Sequence, residues 1–331
     1  MIINLAGSLL AVLILSLVAW GAHGSASLAS LFLVVIPYGA FAIFLAGFVW
    51  RIVSWAQSPV PFRIPTTCGQ QKTLPWMKSE PLENPSSTAG VISRMALEVL
   101  LFRSLFRNTQ AEIYEGRTVY GSAKWLWFFG LTFHWSLLVI LVRHMRFFVE
   151  PVGPVISGVA ALDGFFELGL PTFFLSDAGI LAGLTFLFLR RVVVPQLRYI
   201  SLFTDYFAVL LILAVAATGT LMRTVFPADL EQVKTLALGW VSFSPVVPSG
   251  VSALFQTHLF LVCALLAWFP FSKLMHMGGV FLSPTRNLAN DSRMRRHVNP
   301  WNAPVKVHTY EEYEDEFRDQ MKTAGIPVEK E

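Results

Sequence analysis

Four of the seven histidines fall in two pairs, within stretches apolar enough to lie inside a membrane. His134 and His144 are ten residues apart, and His258 and His276 are eighteen residues apart. A single membrane histidine is more often a hydrogen-bonded packing residue, but buried ionisable groups in a membrane are costly and mark functional sites. Imidazole is a usual axial ligand of haem iron, and a six-coordinate haem between two helices takes one histidine from each. Two histidines on each of two helices therefore predict two haem b groups with these four residues as iron ligands.

Helix geometry predicts how the histidines pair. On straight helices that rise 1.5 Å per residue, His134 and His144 lie about 15 Å apart, and His258 and His276 about 27 Å apart. If the two helices run antiparallel, His144 pairs with His258 near the outer face and His134 with His276 near the inner face. The two spacings do not match, and we expect tilt or a kink at Pro270 to absorb the difference.

Two arginines flank one of the predicted ligands. Arg143 and Arg146 lie on either side of His144 in an otherwise apolar run. Their guanidinium groups could pair with haem propionates, which would offset the cost of burying them. Alternatively, the two side chains extend to the outer membrane interface, where water solvates the charges. The sequence favours neither interpretation.

The remaining histidines and the two cysteines do not form a site. His23, His297 and His308 fall in a turn or in the tail and are interpreted as surface residues. Cys68 lies in a loop and Cys263 in a helix, so we expect neither a disulfide nor a cysteine metal site. Any iron-sulfur cluster must therefore belong to another subunit.

The composition places these residues in a membrane protein. Of 331 residues, 54% are hydrophobic and 14% are charged, and the mean hydropathy is +0.57, which is too apolar for an ordinary soluble domain. A hydrocarbon core of about 30 Å takes about 20 helical residues. The first apolar stretch has no Lys or Arg before it and is interpreted as a retained helix, not a signal peptide. The sequence predicts an all-α membrane protein with six spans at approximately residues 2–20, 31–50, 125–149, 170–189, 200–222 and 251–275.

The positive charges predict the orientation. Short cytoplasmic loops collect Lys and Arg, and 25 such residues are present. With the N-terminus inside, all of them fall on inner segments except Arg143, Arg146, Arg223 and Lys234. We therefore expect both termini to be cytoplasmic. The net charge of +4 expresses this bias and gives no reason to expect nucleic acid as a partner.

The segments outside the spans divide the chain further. A Pro-rich inner loop precedes residues 90–113, which we interpret as a basic amphipathic helix that lies on the membrane surface or docks a partner. Residues 284–331 are polar, and we expect them to be ordered only against a partner. The predicted domains are an N-terminal hairpin at 1–56, a cytoplasmic loop at 57–123, a four-helix dihaem domain at 124–280 and a cytoplasmic tail at 281–331.

At the four histidines the sequence resembles the gamma-subunit family of respiratory nitrate reductases, dihaem b membrane proteins with the same two histidine intervals. This resemblance covers about residues 120–280. The N-terminal hairpin, the loop sequence LEVLLFRSLFRNT and the tail sequence HVNPWNAPVKVHTYEEYEDEF are similar to one branch of that family. This branch comprises the DsrM-type cytochrome b subunits of DsrMKJOP complexes associated with dissimilatory sulfite reduction. The extra hairpin departs from the nitrate reductase pattern, so no quinone-site residue is carried over.

The resemblance implies a membrane electron carrier. It implies two b haems, menaquinone or menaquinol as substrate, and electron exchange with a cytoplasmic iron-sulfur subunit similar to the catalytic subunit of heterodisulfide reductases. Multihaem cytochrome c and further membrane subunits are also implied partners, in the cytoplasmic membrane of a bacterium. Two other classes of function stay open, a transporter and a haem-free anchor for an iron-sulfur subunit. A transporter would show inverted repeats and paired broken helices, which the sequence lacks.

Quinol oxidation would release protons, and three acidic residues near the ends of spans could accept them. Asp163 and Glu167 precede the fourth span on the outer side, and Asp205 lies at the inner start of the fifth. An acidic residue at the N-terminus of a helix also simply complements the helix dipole. These residues are therefore weak candidates.

Overall fold

A computed structural model describes residues 2–58, 69–165, 169, 173–283, 286–294 and 307–330. The described chain is mostly helical. A π-helical turn at Leu31–Val35 joins α2 to α3, and 3-10 turns occur at Met145–Phe147, Phe269–Phe271, Lys273–Met275 and Val280–Leu282. The elements are α1 (Ile2–Gly21), α2 (Ala26–Ser30), α3 (Ile36–Ala56), α4 (Thr88–Leu101), α5 (Arg103–Arg107), β1 (Thr109–Tyr114), β2 (Arg117–Ser122), α6 (Lys124–His144), α7 (Pro154–Phe165), α8 (Leu175–Val193), α9 (Pro195–Ile200), α10 (Phe203–Thr224), α11 (Leu230–Val241), α12 (Ala253–Trp268), α13 (His276–Gly279) and α14 (Tyr310–Thr323).

Five helical stretches of the described chain are long and apolar enough to cross a membrane. They correspond to five of the six predicted spans. The remaining prediction, residues 170–189, falls largely on α8, which is 19 residues long but carries Asp177, Arg190 and Arg191. A sixth crossing there stays a prediction. The five stretches are Ile2–Gly21, Ser27–Ala56, Lys124–Phe147, Phe203–Thr224 and Ala253–Phe271.

The N-terminal helices belong to the same bundle as the histidine-bearing helices. Helix α1 packs on α10 and α12, and α3 packs on α12. Hydrogen bonds reinforce the packing of α1 on α10 and α12. The Ser8 hydroxyl donates to the carbonyl of Phe203 at 2.9 Å, and the Gln256 amide donates to the carbonyl of Ala19 at 3.0 Å. In lipid such contacts have no competing water, so they hold the hairpin against the rest of the bundle.

Helices α6 and α8 form the other close pair. A Cβ atom at Gly183 would lie 2.8 Å from the Cβ of Phe133 and 3.0 Å from the carbonyl oxygen of Phe129. Lipid tails are as apolar as the side chains, so burial of apolar surface does not drive helices together in a membrane. Close packing does, and small residues allow it. Gly183 therefore sets how closely α8 lies against the helix that carries His134 and His144.

The loop before α6 differs from the predicted helix at 90–113. Helix α4 ends at Leu101, and the next residue, Phe102, caps it with a left-handed backbone at φ 49°. After the short helix α5, β1 and β2 pair antiparallel, and a turn at Glu115 and Gly116 with φ values of 49° and 75° connects them. Two consecutive positive φ values are typical of a tight hairpin turn. The prediction of an all-α protein is wrong at residues 109–122, because the Glu-Gly turn was not recognised.

The described parts of the inner loop and the start of the tail pack on each other. The side chain of Asn290 donates to the side-chain oxygen of Asn84 at 2.9 Å, and the backbone N–H of Asn290 donates to the carbonyl of Pro85 at 2.7 Å. Arg286 lies 3.5 Å from the carboxylate of Glu98 on α4. These contacts join the segment that follows the last span to the segment that precedes α6. Cys68 lies outside the described residues, and Cys263 is a buried free thiol.

The tail contains a helix with its own stabilising contacts. Thr309 and Glu312 form a reciprocal capping box at the N-terminus of α14. The buried carboxylate of Glu314 accepts the backbone N–H groups of Glu329 and Lys330, both at 2.8 Å. The structure therefore differs from the expectation that the tail is ordered only against a partner. His308 lies 3.7 Å from Glu316 at the tail surface, and His297 lies outside the described residues.

Replacing Glu314 with alanine should release the last residues of the tail. The N–H of Glu329, and then that of Lys330 and the guanidinium of Arg318, hold the pKa of Glu314 below its ordinary value. The stabilisation is therefore present at neutral pH and is lost as the pH falls through this lowered pKa. Hydrogen exchange should show faster exchange at the amides of Glu329 and Lys330 in Glu314→Ala. In the exposed control Asp319→Ala these amides should exchange as in the wild type, and equal exchange in both variants would contradict the assignment.

Candidate functional site

The inner histidine pair meets across the bundle. His134 lies midway along α6, and His276 begins α13. The centroids of their rings are 6.0 Å apart and their planes are inclined by 79°. Two metal–nitrogen bonds of about 2 Å each, together with the radii of two imidazole rings, give a centroid separation of about 6 Å. The spacing of this pair therefore fits two ligands on opposite sides of one iron atom.

The outer pair lies at the other end of the same two segments. His144 ends α6, His258 lies in the second turn of α12, and the two rings are close enough to interact electrostatically. His134 precedes His144 along the chain, whereas its neighbour His276 follows His258. The two segments therefore run antiparallel, and each brings one histidine to each end of the site.

All four rings are held through the same nitrogen. In each case Nδ1 is hydrogen-bonded, and the ring then presents Nε2. A metal-bound histidine has this arrangement, in which the bond at one nitrogen fixes the tautomer and the orientation of the other. The partners are the carbonyl of Gly130 for His134 at 2.7 Å, the carbonyl of Ile140 for His144 at 2.8 Å, the hydroxyl of Thr218 for His258 at 2.9 Å and the carbonyl of Lys273 for His276 at 2.9 Å.

The last span is broken between its two histidines. Helix α12 ends at Trp268, a 3-10 turn contains Pro270, and Ser272 has an extended backbone with φ −113° and ψ 175°. The hydroxyl of Ser272 accepts the N–H of Leu274 at 3.1 Å and starts the next turn. His276 therefore does not continue the axis of α12, and the break lies where the sequence has Pro270.

The segment that follows α4 covers the inner pair. The ring of Phe102 contacts His134 edge to face, with the ring centroids 4.9 Å apart. Two indoles of α6 hold the end of α4 in place. Trp127 donates to the carbonyl of Leu101 at 2.7 Å, and Trp135 donates to that of Leu100 at 3.0 Å. The sequence carries no signal for this role of Phe102, because the contact with His134 depends on the left-handed backbone at this residue.

The two arginines beside His144 have different surroundings. The buried guanidinium of Arg143 forms an ion pair with Asp163 and donates to the hydroxyl of Ser176 at 3.2 Å. Arg146 lies over the ring of Phe147, 5.2 Å from its centroid. The charge of Arg143 thus has a partner within the protein, so burial of this side chain does not depend on a haem propionate.

The predicted proton acceptors are also engaged. The carboxylate of Asp163 accepts the N–H of Ser176 at 3.1 Å and its hydroxyl at 2.6 Å. Asp205 accepts from Lys273 at 2.7 Å and from the backbone N–H of Leu202 at 3.0 Å. Both carboxylates therefore stabilise the ends of helices. Glu167 lies outside the described residues.

A second carboxylate near Arg143 was missed in the sequence. Asp177 is buried in the first turn of α8, where its Oδ2 has no hydrogen-bond partner, and the Nε of Arg223 lies 3.8 Å from that oxygen. Both guanidinium groups lie over the ring of Phe174, and their Cζ atoms are 4.5 Å (Arg143) and 3.2 Å (Arg223) from its centroid. The signal in the sequence was an acidic residue inside an apolar stretch, which is rare in membrane helices.

A small metal site is not what these residues form. Among the described residues, no three His, Cys, Asp or Glu side chains gather where they could hold a metal ion. Haem iron needs only two ligands from the protein, because the porphyrin supplies four nitrogens. The paired histidines therefore fit haem and do not fit a zinc-type centre, which takes three or four protein ligands.

A bundle of apolar helices with histidines paired across it is the architecture of a membrane cytochrome b. Residues 94–295 match the model of the nitrate reductase gamma subunit family. Since this match spans more than half of the chain, the chain belongs to that family. The resemblance predicted from the histidine intervals is confirmed, and the match extends beyond residues 120–280 at both ends.

Two curated relatives are similar over most of the chain. The protein from Archaeoglobus fulgidus is 44% identical over 278 residues, which cover 82% of this chain and 83% of the relative. The protein from Archaeoglobus profundus is 40% identical over 274 residues, which cover 80% of this chain and 81% of the relative. Both are named Hdr-like menaquinol oxidoreductase cytochrome b-like subunit. The predicted resemblance to a DsrM-like membrane cytochrome b is therefore also confirmed.

Breaking the ion pair beside the outer histidines should destabilise the bundle. Arg143→Gln leaves the carboxylate of Asp163 buried without its counter-charge, and loss of one partner of a buried pair costs about 3–5 kcal/mol. Denaturant unfolding of the purified protein in detergent measures this loss. The control Arg117→Gln changes an exposed arginine of β2 and should cost less than about 1 kcal/mol. Equal losses in both variants would contradict a structural role specific to Arg143.

Proposed function

We propose that the chain holds two b haems, one between His134 and His276 and the other between His144 and His258. The observation that carries this proposal is the 6.0 Å separation of the inner rings, taken with the hydrogen bond at Nδ1 of every histidine. Two histidines per iron complete six-coordination and leave no position for a further ligand. This arrangement favours electron transfer over oxygen chemistry.

Haem bound at these pairs would supply one-electron chemistry at two depths of the membrane. The protein holds each imidazole in one tautomer, covers the inner pair with Phe102, and offsets the buried charge of Arg143 with Asp163. Such burial and hydrogen bonding are the means by which a protein tunes a haem. Arg146, whose charge has no carboxylate partner among the described contacts of the site, is the better candidate for a propionate.

The proposed reaction is electron exchange between the menaquinone pool and an iron-sulfur subunit. The names of both relatives support menaquinol as the substrate and an Hdr-like complex as the context. The proposed partners are a cytoplasmic subunit similar to the catalytic subunit of heterodisulfide reductases, a multihaem cytochrome c and further membrane subunits. We propose that the complex serves dissimilatory sulfate or sulfite reduction. Helix α4 contacts the start of the tail through Glu98 and Arg286 and leads into Phe102 beside the inner pair. We propose this surface as the docking site of the cytoplasmic partner.

The proposed topology has six spans and both termini in the cytoplasm. It rests on the distribution of Lys and Arg and on α8 crossing as the fourth span. Helix α8 differs from the five apolar stretches in carrying three charged residues. Two of them, Arg190 and Arg191, lie in its last turn, where long basic side chains reach the membrane–water interface. The proposed location is the bacterial cytoplasmic membrane.

Single alanine substitutions of the four histidines test the pairing. We expect the wild-type chain, purified from membranes, to contain two b haems in a pyridine haemochrome assay. His134→Ala and His276→Ala should lose one haem and keep the other, and His144→Ala and His258→Ala should lose the haem that the first two variants keep. Reduced-minus-oxidised spectra with a redox titration identify which haem each variant retains.

Two other histidines provide the control. His23→Ala and His308→Ala alter exposed residues and should leave the haem content at the wild-type value. If the wild-type protein is colourless but still captures the iron-sulfur subunit, the proposed cytochrome b function is overturned. The chain would then be a haem-free anchor for that subunit. If each of the four histidine variants loses both haems, the proposed pairing is overturned.

A further inference from the structure

Helix α10 carries no histidine, yet one of its side chains holds a proposed iron ligand. The hydroxyl oxygen of Thr218 lies 2.9 Å from Nδ1 of His258. The other three histidines are bonded at Nδ1 by carbonyls of their own segments, three or four residues earlier. His258 alone is therefore held from a different helix, by the hydroxyl of Thr218, and the backbone of Val215 on the same helix also interacts with its ring.

The direction of this hydrogen bond follows from the other contacts of Thr218. Its hydroxyl lies 2.8 Å from the carbonyl oxygen of Ala214 and 3.0 Å from that of Val215. Carbonyl oxygens only accept, and a hydroxyl has one hydrogen to donate. Because that hydrogen points to the backbone of α10, the hydroxyl oxygen must accept from Nδ1–H of His258. The ring is thereby fixed as the tautomer in which Nε2 is unprotonated.

The next residue makes room for the ring. A Cβ atom at Gly219 would lie 3.2 Å from Cε1 of His258 and 3.7 Å from its Nδ1. Contacts as short as 3.2 Å are tighter than most side chains tolerate, and interiors packed this closely relax only partly. Thr218 and Gly219 together thus form a cradle on α10 that sets both the tautomer and the position of this imidazole.

We propose that Thr218 is a positioning residue for the outer haem, acting through His258. The inference rests on the proposed haem ligation. A hydrogen bond from the far nitrogen of a metal-bound imidazole increases the basicity of the ligand, which favours the ferric state of iron. Loss of the hydroxyl should therefore raise the midpoint potential of one haem, the one that depends on His258, and leave the other unchanged.

The test compares Thr218→Val, Thr218→Ser and Gly219→Ala in the full-length protein purified from membranes. Thr218→Val keeps the shape of the side chain and removes the hydroxyl. It should shift one midpoint upward in an optical redox titration and change the low-spin ferric signal of the same haem in electron paramagnetic resonance. Thr218→Ser should restore both readouts to the wild-type values. Gly219→Ala should perturb the same haem while the hydroxyl is still present.

Thr224→Val is the matched control, because its hydroxyl bonds a backbone carbonyl of the same helix at 2.8 Å and the structure gives it no ring contact. It should leave both haems unchanged. The shifted haem must be the one that His258→Ala lacks. If Thr218→Val and Gly219→Ala keep two haems with wild-type midpoints and signals, the role of Thr218 is overturned. The proposed haem ligation would then still stand. A wild-type protein without haem would overturn the proposed function and this inference with it.

Discussion

The ten-residue interval from His134 to His144 has to span the same distance as the eighteen-residue interval from His258 to His276. The break in the helix after Trp268 makes this possible. Ten residues of straight helix separate His134 from His144 by about 15 Å, and eighteen residues would separate the other pair by about 27 Å. The chain ends α12 early, turns at Ser272 and presents His276 from a new direction. Pro270 gives the physical reason, because proline cannot donate the hydrogen bond that would continue the helix. The proline at the end of this span thus determines where His276 lies.

The break in turn needs a neighbour that fits it. A Cβ atom at Gly47 would lie 2.8 Å from the Cβ of Pro270, so α3 can approach the break because that residue is glycine. Lys273 helps from the other side, since its ammonium binds Asp205 at the start of α10 and its carbonyl accepts from His276. The N-terminal hairpin is therefore part of what positions the inner pair, although the family match begins only at residue 94.

The sequence predicts those parts of the site that depend on residue type and interval. The four histidines, the break at proline and five of the apolar stretches follow from spacing, hydropathy and the conformational limits of proline. The contacts between helices do not follow, because they depend on which faces meet. Thr218 is one of several threonines in apolar helices. Asp177 stands out in the sequence as an acidic residue in an apolar stretch, but its burial near Arg143 depends on how α8 packs. The hairpin at 109–122 and the capped helix α14 were missed because their signals are local turns and caps that apolar periodicity does not contain.

The two histidine pairs lie in unlike surroundings. The inner pair is covered by the aromatic ring of Phe102 from the segment that follows α4, and its rings are bonded by carbonyls of their own segments. At the outer pair one ring is bonded by a hydroxyl of α10, and the charges of Arg143 and Arg146 are adjacent to the other. The potential of a haem with fixed axial ligands is set by hydrogen bonds, nearby charge and dielectric. Cationic side chains disfavour the ferric state, whereas an imidazole with a strong acceptor at Nδ1 favours it. For the two proposed haems, these differences would give separate control of each site.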